Sequence, residues 1–137
     1  MHNNVLSFQG NIDLLRNNSN VDIAFMMDAT LSMRRNIVAA KENIASIVRN
    51  VKEAFSNNTV RVAFVAYRDY SERELRIETY DFTEDVEDFT TSLGNVRAFA
   101  GYDDPEDVLG GLNATLHLNW KEANKLIFQI GKFRFQN

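Results

Sequence analysis

Asp28, Thr30 and Ser32 stand at alternate positions in the turn Asp28-Ala29-Thr30-Leu31-Ser32, between the apolar run Val21 to Met27 and a long amphipathic pattern. One carboxylate and two hydroxyls make an oxygen-only donor set. Such a set suits a hard divalent cation such as magnesium better than zinc or copper. Its place matters as much as its chemistry, because ligands of open α/β sheets bind at the carboxyl ends of strands. Two further turns carry charge: Arg68-Asp69-Tyr70-Ser71-Glu72, and Asp103-Asp104-Pro105-Glu106-Asp107. Each has a plainer reading beside the metal one. Ser32 can serve as the N-cap of the following helix, with Asp28 favouring its dipole. The second acidic turn can be a helix start around Pro105, whose missing N–H costs nothing at a first helical position.

The elements that would hold these turns follow from the apolar pattern. Val21–Met27 (VDIAFMM) and Val60–Tyr67 (VRVAFVAY) are nearly continuous in apolar residues, as strands covered on both faces should be. Ile37, Ala40, Ile44, Ile47, Val48, Val51 and Phe55 recur at steps of three and four, which predicts a long helix ending at Asn57-Asn58. Leu75 to Phe82 alternates like a half-exposed edge strand, joined to the strand before it by a connection suited to a hairpin. Thr83 is the expected cap of a shorter helix to about Leu93. Val108, Leu112, Leu116 and Trp120 predict the inward stripe of another, and Leu126 to Ile130 a last strand. The order strand, helix, strand, edge strand, helix, helix, strand gives an open, mostly parallel, Rossmann-like α/β sheet flanked by helices, with one antiparallel edge.

Composition narrows the function classes. The chain has 137 residues, 45% hydrophobic and 25% charged, which fits one globular domain and leaves little room for a second. A net charge of -4 argues against nucleic acid as a partner, since phosphate binding is driven by Lys and Arg. Without cysteine there is no disulfide, thiolate zinc site or cysteine nucleophile. No apolar stretch approaches the roughly 20 residues of a membrane span. The residues from Met1 to Leu6 lack the basic start and apolar run of a secretory signal, so the cytoplasm is the expected compartment. No Gly-x-Gly-x-x-Gly follows the first strand, and there is no Gly-Lys-Ser/Thr, so dinucleotide and P-loop chemistry are not expected. His117, between Leu116 and Leu118, is expected to be packed or on the surface and not catalytic.

Taken together, VDIAFMMDATLSM, VRVAFVAYRD, GYDDPEDVLGGL and KLIFQI resemble a von Willebrand factor type A (VWA) domain, and most of all the VWA domains associated with atypical α-kinases. The resemblance divides the chain into a polar lead-in (1–20), a partial VWA-like domain (21–130) and a divergent C-terminal tail (131–137). It implies a metal-ion-dependent adhesion site, the MIDAS, built from three loops. Asp28, Thr30 and Ser32 match its first loop, the hydroxyls ligating magnesium directly and Asp28 mainly through water. Asp103 matches the second-loop ligand of the α-kinase-associated group, ahead of Asp104. Asp69 is a further candidate behind the ligands.

The chain also departs from the pattern. Leu31 stands where Gly is usual, and Lys132 where the third-loop Asp is expected. A lysine there opposes magnesium and can itself stand in for the cation beside Asp28 and Asp103. The two later strands of such a sheet have no counterpart, so the last strand is expected to be an exposed edge that the Phe133-Arg134-Phe135 tail or a partner would cover. The resemblance thus implies a non-enzymatic protein-interaction module, binding a partner carboxylate through magnesium, with no kinase activity in this chain. Arg34 and Arg35 beside the site would favour an acidic partner. Two alternatives remain. One is a haloacid-dehalogenase-like phosphohydrolase with Asp28 as nucleophile, although Thr30 stands where its second Asp is needed. The other is a truncated, non-functional fragment of an α-kinase-associated VWA protein.

Overall fold

The computed structural model describes residues 20–99, 107–121 and 123–131. Strands β1 (Val21–Asp28), β2 (Val60–Tyr67), β3 (Ile77–Thr83) and β4 (Asn124–Ile130) form one sheet in the order β3-β2-β1-β4. β1 runs parallel to β2 and to β4, whereas β3 is antiparallel to β2. The mostly parallel α/β sheet with one antiparallel pair is the architecture the sequence implies. β3 starts two residues later than the alternation suggests, because Tyr70–Arg76 is taken up by 3-10 turns.

Every residue of β1 and β2 is buried, which explains their unbroken apolar sequences. Alternate side chains go to opposite faces. Val21, Ile23, Phe25 and Met27 join Val62 and Phe64 in the larger core, under helix α1 (Ile37–Ala54) and helix α2 (Val86–Gly94). Ala24, Ala63 and Val65 face the other way, towards Leu118. α1 presents Ile37, Ala40, Ile44, Val48 and Val51 to the core, the stripe read from its sequence. Each large apolar side chain so buried contributes about 1.5–3 kcal/mol. That packing holds α1, since its first turn has neither a side-chain cap nor an acidic residue.

Three local expectations are overturned. Ser32 does not cap α1: a 3-10 turn (Leu31–Met33) intervenes and Asn36 occupies the cap position. Asp85, not Thr83, caps α2, its carboxylate accepting from the Asp88 amide at 3.0 Å, while the Thr83 hydroxyl accepts from the Asp85 amide. Helix α3 (Val108–Leu116) does not turn Leu112 and Leu116 inward; Leu116 is 58% exposed. It buries Gly111 and Thr115 instead. A Cβ at Gly111 would lie 3.0–3.2 Å from Tyr67 side-chain atoms, so the helix backbone rests directly on that ring. Trp120 follows the helix and is held by its indole N–H on the Thr115 carbonyl and by an edge contact with Phe82. No helix among the described residues is long and apolar enough to cross a membrane.

Gly111 and Gly94 should respond to substitution with opposite signs. Gly111→Val is expected to destabilise by about 1–3 kcal/mol through overpacking against buried Tyr67. Gly94→Ala, where an added Cβ meets nothing within 4 Å, should stabilise by about 0.4–1 kcal/mol. Urea unfolding of the two variants checks both.

Candidate metal centre

β1 carries two carboxylates, one at each end, and both are 1% exposed. Their surroundings differ. Asp22 accepts from Arg61 Nε at 2.9 Å and Arg61 Nη2 at 2.6 Å, and from the Lys121 amide at 2.9 Å. Arg61 also lies over the Phe82 ring and donates to the Asn119 carbonyl, so this pair is neutralised and tied down. Asp28 has no arginine or lysine partner among the described residues. Its Oδ1 accepts from the Thr30 amide at 2.9 Å and from the Thr30 hydroxyl at 2.6 Å. Its Oδ2 is buried with no hydrogen-bond partner among the described residues.

The turn folds this way because Asp accepts readily from the backbone two residues on. The Ala29 amide donates to the Tyr67 carbonyl, which carries the β1–β2 pairing one step past the strand end. Thr30 Oγ1 then lies 2.9 Å from Ser32 Oγ. Asp28, Thr30 and Ser32 are therefore brought together, as their spacing suggests. Gly131, just beyond β4, completes the cradle: a Cβ there would sit 3.9 Å from Asp28 Oδ2 and 3.4 Å from Tyr67 Oη. The tightest contact of such a Cβ would be with Asp28 Cβ, at 3.3 Å, so a side chain at 131 would press on the Asp28 side chain while meeting Oδ2 only at ordinary van der Waals distance.

A buried carboxylate oxygen without a donor is costly, and a cation is the group that would relieve it. The donors at hand are two oxygens of Asp28 and two hydroxyls, a set that fits magnesium. No group of three or more His, Cys, Asp or Glu able to hold a metal occurs among the described residues, so hydroxyls carry much of any site. Asp103, Asp104 and Lys132 lie outside the described residues. Asp69 is buried at the N-cap position of the Tyr70–Arg76 segment, two residues past Tyr67, which pairs with Asp28. Arg34 and Arg35 are exposed in the turn between Met33 and α1.

The second acidic turn leads into a helix, but that helix starts at Val108 and not around Pro105, which lies outside the described residues. Asp107 caps α3, accepting from the Gly110 amide at 2.8 Å, and its other oxygen lies 2.9 Å from Arg76 Nε. Its hydrogen bond and its charge push the Tyr70 hydroxyl above its ordinary pKa. His117 is exposed at the C-cap of α3, with Nδ1 2.7 Å from the Asn113 carbonyl, a surface position. Arg68 is the residue that sequence reasoning did not single out. It is fully buried at the end of β2, and its only sequence signal is a charge directly after an apolar run.

A four-stranded α/β sheet with an Asp-x-Thr-x-Ser turn at the end of its central strand defines a class, and comparison agrees. Residues 22–130 match the family model of the von Willebrand factor A domain, and the chain belongs to that family. It is also 29% identical, over 111 residues, to the alpha-protein kinase vwkA of Dictyostelium discoideum. That match covers 80% of this chain and 18% of the kinase, so the chain spans less than a fifth of that relative's length.

Two substitutions separate the roles of Asp107. Asp107→Asn keeps an acceptor for the Gly110 amide and loses the charge facing Arg76, whereas Asp107→Ala loses both. The alanine variant should be the less stable by about 0.5–2 kcal/mol, the worth of an N-cap. Tyr70 should titrate closer to its ordinary pKa in both. Thermal unfolding and ultraviolet titration of tyrosine check these outcomes.

Proposed function

We propose that this chain is a non-enzymatic protein-interaction module that engages an acidic partner through magnesium held at the Asp28–Thr30–Ser32 turn. The observation that carries the reading is the contrast within β1. Asp22 is buried and paired with Arg61, whereas Asp28 is equally buried with one oxygen held by Thr30 and the other, beside Gly131, without a hydrogen-bond partner among the described residues. Membership of the VWA family supports the same assignment.

Thr30 and Ser32 offer neutral hydroxyls as direct ligands, Asp28 supplies the negative charge and orients Thr30, and Asp103 is the second-loop carboxylate, with Asp104 as its alternate. Asp69 stands behind this set. With so few direct carboxylates, a bound magnesium would retain positive charge for a carboxylate of the partner. Arg34 and Arg35, exposed nearby, favour the same partner chemistry. Lys132 opposes the cation by charge. The kinase name of the relative is not carried over, because the matched region is a small share of that protein.

Titration calorimetry with magnesium tests the reading. The protein should bind magnesium saturably in the millimolar range or tighter. Asp28→Asn should weaken binding by about tenfold or more, equivalent to 1.4 kcal/mol, and Lys132→Asp should strengthen it. Acetate or an acidic peptide should bind only with magnesium present. No saturable binding, or equal affinity in Asp28→Asn, would contradict the proposal. Turnover of a simple phosphate ester lost on Asp28→Asn would overturn its non-enzymatic part.

A further inference from the structure

Arg68 joins four separate stretches of chain at the site end of the sheet. Its side chain is fully buried. Nη1 donates to the Leu75 carbonyl at 2.8 Å and lies 3.3 Å from Glu78 Oε1. Nη2 donates to the Arg97 carbonyl at 2.7 Å. The guanidinium also stacks on the Phe99 ring, 4.1 Å from its centroid. The backbone of the same residue is used as fully: its amide donates to the Arg76 carbonyl, and its carbonyl accepts from the Asp107 amide. Arg97 and Phe99 lead into residues 100–106 and Asp107 leads out, so one side chain and its backbone hold both flanks of that segment.

Phe99 continues the connection to the Asp28 turn. Its amide donates at 3.1 Å to the carbonyl of Ala29, the residue between Asp28 and Thr30. Ala29 in turn donates to Tyr67, the neighbour of Arg68. The path from the guanidinium to the candidate ligands is thus two residues long, through Phe99 and Ala29.

Bulk stability is a poor reason for this arrangement. Burying a guanidinium is costly, and Nε has no hydrogen-bond partner among the described residues, so an apolar side chain of similar volume would serve a purely structural role as well or better. What Arg alone supplies is a rigid fork whose two arms reach carbonyls on different segments while its face stacks on a ring. Lysine, a point charge on a flexible stem, cannot do all three.

We infer that Arg68 is a positioning residue for the Asp28 site: it fixes Phe99 against the Ala29 carbonyl and so sets the turn that aims Asp28, Thr30 and Ser32. The metal arm of the test rests on the proposed magnesium site; the backbone arm does not. Arg68→Lys is compared with Val48→Ala, a core variant in α1 remote from the turn, by amide hydrogen exchange and by magnesium calorimetry. Arg68→Lys should speed exchange of the Phe99 amide by about tenfold or more over Val48→Ala, the signature of local opening, and should weaken magnesium binding. Val48→Ala should leave magnesium affinity at the wild-type level.

Phe99→Leu removes the stacked ring without disturbing the buried charge, and it should reproduce both effects in weaker form. It decides the matter if Arg68→Lys does not fold. The inference is overturned if Phe99 exchange and magnesium affinity in Arg68→Lys, or in Phe99→Leu, match those of Val48→Ala. If the wild-type protein binds no magnesium, the metal reading falls and the exchange comparison alone judges Arg68.

Discussion

β1 runs parallel to β2 on one side and to β4 on the other, in register from Val21, opposite Val60 and Asn124, to Met27, opposite Ala66 and Ile130. Parallel pairing puts the carboxyl ends of all three strands on one rim of the sheet. Asp28, the Arg68-Asp69 pair and Gly131 meet there because of that pairing, although they are far apart in sequence. The register also allows no slip. A shift of one residue would exchange Phe25 and Met27 for Ala24 and Met26 on the face beneath α1, and would carry Asp28 to the opposite face. The large core therefore fixes the site's position without contributing a ligand to it.

The chemistry follows from how charge is treated at the two ends of β1. At the amino end, Asp22 is met by a bidentate arginine and a backbone amide, which answers the cost of its burial. At the carboxyl end, Arg68, the residue directly after β2, directs its donors to the Leu75 and Arg97 carbonyls. Its charge is committed to backbone carbonyls and to Glu78, and one oxygen of Asp28 has no hydrogen-bond partner among the described residues. That difference between the two ends of β1 is what the proposed cation site rests on.

Much of the framework was legible in the sequence because it rests on apolar periodicity. The unbroken runs of β1 and β2 and the stripe Ile37-Ala40-Ile44-Val48-Val51 match the structure, since burial on two faces or on one helical face leaves a regular mark. The clustering of Asp28, Thr30 and Ser32 is legible too, because the three are local. What failed were places where small or polar residues do two jobs. Ser32 looked like a cap because a hydroxyl before a helix caps or ligates equally well, and only the intervening 3-10 turn decides. The inward face of α3 departs from the apolar pattern because close packing on Tyr67 selects Gly111 and Thr115, which apolar counting overlooks. Asp85 displaces Thr83 as the cap from only two residues away. The hold of Arg68 on Leu75, Arg97 and Phe99 is long-range and leaves no periodic mark.

We propose above all that Asp28 and its two hydroxyl neighbours form a cation site at the end of β1. Amide NMR during a magnesium titration, at constant ionic strength, reads it directly. The Thr30 amide, bonded to Asp28 Oδ1, should shift saturably together with Ser32 and Phe99, while Asp22 and Arg61 at the far end of the strands stay unmoved. Shifts confined to the exposed acidic start of α2, around Asp85, Glu87 and Asp88, or no saturable shift at Thr30, would contradict the account.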